Sequence, residues 1–87
     1  MAIIVYGTKS CTQCVYTKKY LESKGKSYKY VDVFEDQSDF EKLTSRGFSS
    51  LPVVSTVSDD GEETFHFSGF KPKELDTLIN KEEAPNA

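Results

Sequence analysis

Apolar and β-branched residues fill positions 2–6, Ala2-Ile3-Ile4-Val5-Tyr6, and the run stops at Gly7-Thr8-Lys9-Ser10. A short apolar run bounded by a breaker predicts a buried strand that ends in a loop. Past that loop Cys14, Thr17 and Leu21 recur at helical spacing, while Lys18, Lys19, Glu22 and Lys24 fall on the other side. This periodicity predicts a first helix over 12–24, with Gly25 as its stop. Tyr28 to Val33 is aromatic and β-branched with weak alternation, as in a strand partly covered on both faces. Helices on both faces would explain that pattern.

Ser38 followed by Glu41 forms a possible capping box, Phe40 and Leu43 supply an apolar side, and Gly47 can end the segment, so a second helix is predicted there. Pro52 to Val57, then Ser58-Asp59-Asp60-Gly61, then Glu63 to Phe67 reads as strand, turn and antiparallel strand, with Asp60-Gly61 the hairpin signal. Pro72 at a first helical position, followed by Leu75, Leu78 and Ile79, predicts a third helix. The order βαβαββα, with a right-handed crossover in its first unit, predicts an α/β fold: a four-stranded mixed sheet flanked by three helices. Residues 1–82 are expected to form one domain and 83–87 a loose tail.

A chain of 87 residues with 37% hydrophobic content supports one small core and no second domain. No stretch approaches the roughly 18 to 20 apolar residues of a membrane span, and the opening lacks a basic leader with a cleavage site. A soluble, cytoplasmic protein is expected. The net charge of −3, with lysines and acids intermixed, provides no basic stripe to neutralise a phosphate backbone, so nucleic acid is not an expected partner.

The two cysteines, Cys11 and Cys14, lie too close in sequence to staple distant segments. Redox chemistry or metal binding remains. Zinc usually takes four ligands, and the other candidate, His66, stands alone between Phe65 and Phe67, where a surface or packing place fits better than a catalytic one. A cysteine just before a helix lies beside unpaired amides and the positive end of the dipole, which favour its thiolate. A thiol of pKa ~8.5 is only about 3% ionised at pH 7, whereas one of pKa ~7 is about half ionised. Cys11 is therefore the expected attacking thiol, and Cys14, one turn along, the resolving thiol that breaks a mixed disulfide from within the chain. Lys9, Thr12 and Gln13 flank the pair as candidate contacts. No metal and no resident cofactor is expected. The competing reading is a non-enzymatic module in which two chains share a metal or cluster through Cys11 and Cys14.

Taken together, Val5-Tyr6 leading to Cys11-Thr12-Gln13-Cys14, then Leu51-Pro52-Val53-Val54, then Ser68-Gly69-Phe70-Lys71-Pro72 resemble the glutaredoxin branch of the thioredoxin superfamily, and most closely the NrdH-type redoxins. The resemblance spans nearly the whole chain and implies the thioredoxin fold. It also implies that Pro52 is cis and that the Leu51 backbone binds an extended substrate segment, although cis forms are only about 5 to 6% of X–Pro bonds in folded proteins. Relatives typically show Trp-Ser-Gly-Phe-Arg-Pro-Asp before the last helix, so Phe67, Lys71 and Lys73 are departures. Glutathione-using members carry two glycines and acids at this place, where this chain has Gly69, Phe70 and Lys71. The resemblance therefore implies a monomeric carrier reduced by thioredoxin reductase and serving ribonucleotide reductase, with Ser68, Gly69, Phe70 and Lys71 at the partner surface. The nearest alternative is a glutathione-dependent glutaredoxin in which Lys9 meets a glutathione carboxylate.

Overall fold

Seven elements form in the expected order in a computed structural model that describes residues 2–83: β1 (Ala2–Gly7), α1 (Thr12–Ser23), β2 (Lys29–Asp32), α2 (Gln37–Ser45), β3 (Val53–Val57), β4 (Glu63–Ser68) and α3 (Pro72–Glu83). Of the expected tail at 83–87, Glu83 belongs to α3 and the rest lies outside the described residues. The sheet runs β2-β1-β3-β4. β1 pairs parallel to β2 and antiparallel to β3, and β3 pairs antiparallel to β4. Because β1 is central, Ile3, Val5 and Tyr6 are all buried, which explains its unalternating apolar run.

Each face of the sheet carries its own core. Ile3, Val5, Val54 and Phe67 pack with Leu21 of α1 and with Leu75, Leu78 and Ile79 of α3. On the other face Tyr6, Val33 and Val53 pack with Leu43 of α2. Among the described residues no helix is long and apolar enough to cross a membrane.

Two local features differ from the sequence pattern. First, the register passes from Val54↔Phe67 to Ser55↔Phe65, which makes His66 the extra residue of a β-bulge on β4. In a regular strand Phe65 and Phe67 would share a face. Here Phe65 instead stacks on Tyr6 at 5.8 Å on the α2 side, while Phe67 joins the opposite core. His66 is exposed, its Nε2 2.8 Å from Thr56 Oγ1. Second, the cap of α2 is Asp36 rather than Ser38, whose expected box with Glu41 does not form. The Asp36 carboxylate accepts from the Ser38 amide at 2.9 Å and from its hydroxyl at 2.7 Å, so a charged acceptor two residues earlier satisfies the helix N-terminus.

The α2 face also holds a polar knot. Glu63 Oε2 accepts from Tyr6 Oη at 2.5 Å and Ser55 Oγ at 2.6 Å, while Lys42 Nζ lies 3.3 Å from Oε1. Ser55 is fully buried, and Glu63 is the acceptor that satisfies it. Burial pushes the Glu63 pKa up, but the bonds from Ser55, Tyr6 and Lys42 outweigh it and hold the carboxyl below its ordinary 4.5. A carboxyl depressed by folding contributes stability above its unfolded pKa and loses it as pH falls through the folded one. Glu63→Gln should therefore be less stable than wild type at about pH 7 yet lose less on acidification to about pH 3. Urea unfolding at both pH values checks this; identical acid losses in the two proteins would assign the effect to other carboxylates.

Candidate active site

β1 delivers the chain to a tight turn, closed by the Cys11 amide donating to the Thr8 carbonyl at 3.2 Å, and Cys11 then caps α1 with extended backbone at φ −92° and ψ 110°. Its sulfur takes the place of a capping oxygen: Cys11 Sγ accepts from the Cys14 amide at 3.0 Å. Cys11 and Cys14 are joined as a disulfide, with Cα atoms 5.2 Å apart. The two sulfurs differ in access. Cys11 is half-buried at the helix tip, whereas Cys14 is fully buried on the face it shares with Thr17 and Leu21.

Gly7 creates the room for Cys14. A Cβ at this position would lie 2.5 Å from Tyr30 Oη and 2.6 Å from Cys14 Sγ. Tyr30 in turn donates to the Thr8 carbonyl at 3.1 Å and holds the turn before Cys11 against β2. The sequence marked Gly7 only as the end of a strand, and its backbone conformation is unexceptional; the demand comes from two side chains that the fold brings in from elsewhere.

Across from the cysteines, the Leu51-Pro52 bond is cis, as the family resemblance implied and against the base rate for X–Pro bonds. The buried Pro52 accepts from the Gly69 amide at 2.7 Å, and Ser50 Oγ donates to Ser68 Oγ at 3.1 Å. Gly69 adopts φ 87°, a conformation that costs other residues energy, and this turns the chain so that the Phe70 amide donates to Gln13 Oε1 at 3.0 Å. Gln13, between the two cysteines, thus ties α1 to the β4–α3 loop, a contact between residues 57 positions apart that spacing could not reveal.

The remaining candidates are dispersed. Lys9 and Thr12 are exposed on either side of Cys11, and the exposed Lys71 uses its carbonyl to start α3 by accepting from Leu75. Phe70 is half-buried against Tyr16 and Tyr20, on the outer side of α1. Of the candidate contacts, only Leu51 shares a groove with Cys11. This groove, about 550 Å³ in volume, is lined by Thr8, Ser10 and Cys11, by Phe40, Leu43 and Thr44 of α2, by Phe48 to Leu51, and by Phe34. Among the described residues no cluster of three or more His, Cys, Asp or Glu side chains is placed to hold a metal.

Residues 3–59 match the family model for Glutaredoxin. The glutaredoxin-like protein NrdH of Salmonella typhimurium is 33% identical over 87 residues, covering 100% of both chains. In three dimensions the chain is similar to the glutaredoxin-like protein NrdH-redoxin of Escherichia coli, with a TM-score of 0.76 and 32% identity, over 90% of this chain and 95% of that one. Thioredoxin 1 of Thermosipho africanus, at 18% identity and a TM-score of 0.66 over 100% of both chains, shares the fold alone. The C-x-x-C pair at the start of α1, the cis proline and these likenesses lead to one family of thiol–disulfide oxidoreductases. The chain has the thioredoxin fold and belongs to the glutaredoxin family as an NrdH-type, glutaredoxin-like redoxin.

Proposed function

We infer that this chain is a dithiol electron carrier, reduced by a flavin-dependent thioredoxin reductase and reoxidised by a disulfide of ribonucleotide reductase. The observation that carries the chemistry is the unequal access of the two sulfurs, Cys11 half-buried at a helix N-terminus and Cys14 fully buried behind it. In the reduced protein the Cys11 thiolate attacks one sulfur of the client disulfide and the other departs as a thiolate that takes up a proton. The Cys14 thiolate then attacks Cys11 Sγ and releases the second client thiol. Two electrons pass to the client, and the chain keeps the Cys11–Cys14 disulfide until the reductase returns it to the dithiol.

The Cys14 amide and the α1 dipole both favour negative charge on Cys11. Leu51, preceding the cis bond to Pro52, offers its backbone to an extended client segment; Lys9, Thr12 and Gln13 beside Cys11, and the Ser68-Gly69-Phe70-Lys71 segment that Gln13 ties to α1, are further, separate points of contact for a partner. Support for the choice of partners comes from the likeness to NrdH proteins and from the lone Gly69 followed by Phe70-Lys71, where glutathione-using relatives carry two glycines and acids. The reading places a monomeric carrier in the cytoplasm.

Two parallel assays of NADPH oxidation with a disulfide substrate test it. One supplies thioredoxin reductase, the other glutathione with glutathione reductase. Turnover with thioredoxin reductase alone is expected. Turnover with glutathione alone would move the chain to the glutathione-dependent glutaredoxins, and silence in both would revive a metal-binding module.

A further inference from the structure

Gly7 leaves an opening beside Cys14, and two polar atoms border it. Tyr30 Oη lies 2.5 Å, and Cys14 Sγ 2.6 Å, from the point that a Cβ of residue 7 would occupy. Two atoms that close to one point are at most about twice that distance apart. Cys14 is fully buried, and burial opposes the thiolate that the resolving step requires. Thr17, the buried polar residue on the same face of α1, commits its hydroxyl proton to the Gln13 carbonyl at 2.9 Å. Tyr30 is differently placed. Its hydroxyl donates to the Thr8 carbonyl at 3.1 Å, but that carbonyl also accepts from the Cys11 amide at 3.2 Å and keeps a partner when the hydroxyl turns away. A phenolic hydrogen rotates to suit its surroundings, so the turn requires no movement of the ring.

We propose that the Tyr30 hydroxyl is the hydrogen-bond partner of the resolving sulfur, turning from the Thr8 carbonyl to donate to Cys14 Sγ whenever that sulfur carries negative charge. The inference rests on the reading of Cys14 as the resolving thiol. With Cys14 protonated, Tyr30 keeps its bond to Thr8 and presents an oxygen lone pair to the thiol. Once Cys11 holds the client in a mixed disulfide, Cys14 gives up its proton to the client thiolate released in that step, or to buffer. The hydroxyl then turns to the new thiolate, a charge-assisted bond roughly twice as strong as a neutral one. Cys14 Sγ attacks Cys11 Sγ, the bond from Cys11 to the client sulfur breaks, and that sulfur leaves with the electron pair. When a reductase thiolate attacks Cys11 in the opposite direction, Cys14 is the leaving thiolate and the same hydroxyl receives it. Tyr30 acts as a donor and not as a base: burial, aided by Asp32, pushes its pKa up and keeps its proton in place.

The competing account is structural, with Tyr30 holding the turn before Cys11 through Thr8 and nothing more. The reduced full chain, mixed with dithiobis(nitrobenzoate), separates the two, because each sulfur releases one coloured thiolate in turn. Attack by Cys11 gives the first phase, and attack by Cys14 on the mixed disulfide gives the second. Cys11 is uncharged in that mixed disulfide, so the pH dependence of the second phase reads Cys14. The titratable neighbours are Lys18, whose Nζ lies 4.2 Å from the centre of the Tyr30 ring, Asp32 on the same strand, and Tyr28 just before it. Burial holds both tyrosines above the ordinary 10.0.

Tyr30→Phe keeps the ring beneath Lys18 and removes the hydroxyl. Its first phase should stay within about twofold of wild type, while its second slows about tenfold at neutral pH and has its midpoint moved to higher pH. A second measurement leaves Tyr30 intact and stands even if that variant fails to fold. In Cys11→Ser, where Cys14 is the sole thiol, NMR of isotope-labelled tyrosine should show the Tyr30 ring carbon that bears the hydroxyl titrating together with the thiolate absorbance of Cys14. A first phase slowed as much as the second would assign Tyr30 to the turn and overturn the proposal. So would a second phase unchanged in rate and midpoint, or a Tyr30 carbon that does not respond when Cys14 ionises. A wild type that releases one coloured thiolate per chain and stops would bring down the resolving role of Cys14 itself, and the proposal with it.

Discussion

Cys14→Ser, once reduced and mixed with a disulfide client, is expected to accumulate a covalent complex that survives denaturing electrophoresis and dissolves on reduction. Cys11→Ser under the same conditions should form none. The asymmetry follows from position. Cys11 caps α1 with its sulfur partly open to solvent, and Cys14 is sealed beneath the first turn. An external disulfide can reach Cys11 alone, and with serine at position 14 no internal thiol remains to resolve the product. Steady-state turnover should fall to background in both variants, a loss of at least about a thousandfold, or roughly 4 kcal/mol at about 1.4 kcal/mol per decade. Trapping distinguishes them where turnover does not. A complex formed by Cys11→Ser instead would reverse the two roles and would require α1 to unwind before each reaction, since Cys14 is 0% exposed.

The residues that made this site readable in the sequence act locally. Gly7-Thr8-Lys9-Ser10 ends a strand, and the spacing of Cys14, Thr17 and Leu21 defines a helix face; these three are the buried residues of α1. Strand order followed similarly, because a βαβ unit and an Asp-Gly hairpin leave few ways to build one sheet. Most of what stayed hidden depends on contacts between distant segments. The bulge at His66 reverses the alternation that Phe65 and Phe67 display in sequence, and it is set by pairing against Val54 and Ser55 of β3. Asp36 outcompetes Ser38 as a cap, although both residue types suit that position. The cis state of the Leu51-Pro52 bond is one that local sequence disfavours by only about 0.5–1 kcal/mol, too little for a single chain to decide without family resemblance. Phe40 looked like part of the apolar side of α2, yet Leu43 is the buried residue there and Phe40 faces the groove. Phe34, one residue past the strand read over Tyr28 to Val33, gave no signal at all.

Gly7→Ala should be the most disruptive single-methyl change near the site. The added Cβ would sit 2.5 Å from Tyr30 Oη, 2.6 Å from Cys14 Sγ and 3.0 Å from Cys14 Cβ, all inside normal contact distance. Tyr30 can retreat only by giving up its bond to the Thr8 carbonyl, and Cys14 only by lifting the first turn of α1. Overpacking of this kind costs about 1–3 kcal/mol. In a domain of this size that lowers the melting temperature by roughly 4–8 °C per kcal/mol. Tyr30→Phe removes one of the two clashing groups together with the hydroxyl bond, so Gly7→Ala/Tyr30→Phe should be less destabilised than the two single costs added. The coupling energy of this double-mutant cycle, from urea unfolding of the oxidised proteins, is the decisive quantity. A cycle that sums to zero would place the clash on Cys14 alone. In that case Gly7→Ala should also change the ratio of dithiol to disulfide at equilibrium with a glutathione buffer, because the methyl group presses directly on the Cys14 sulfur.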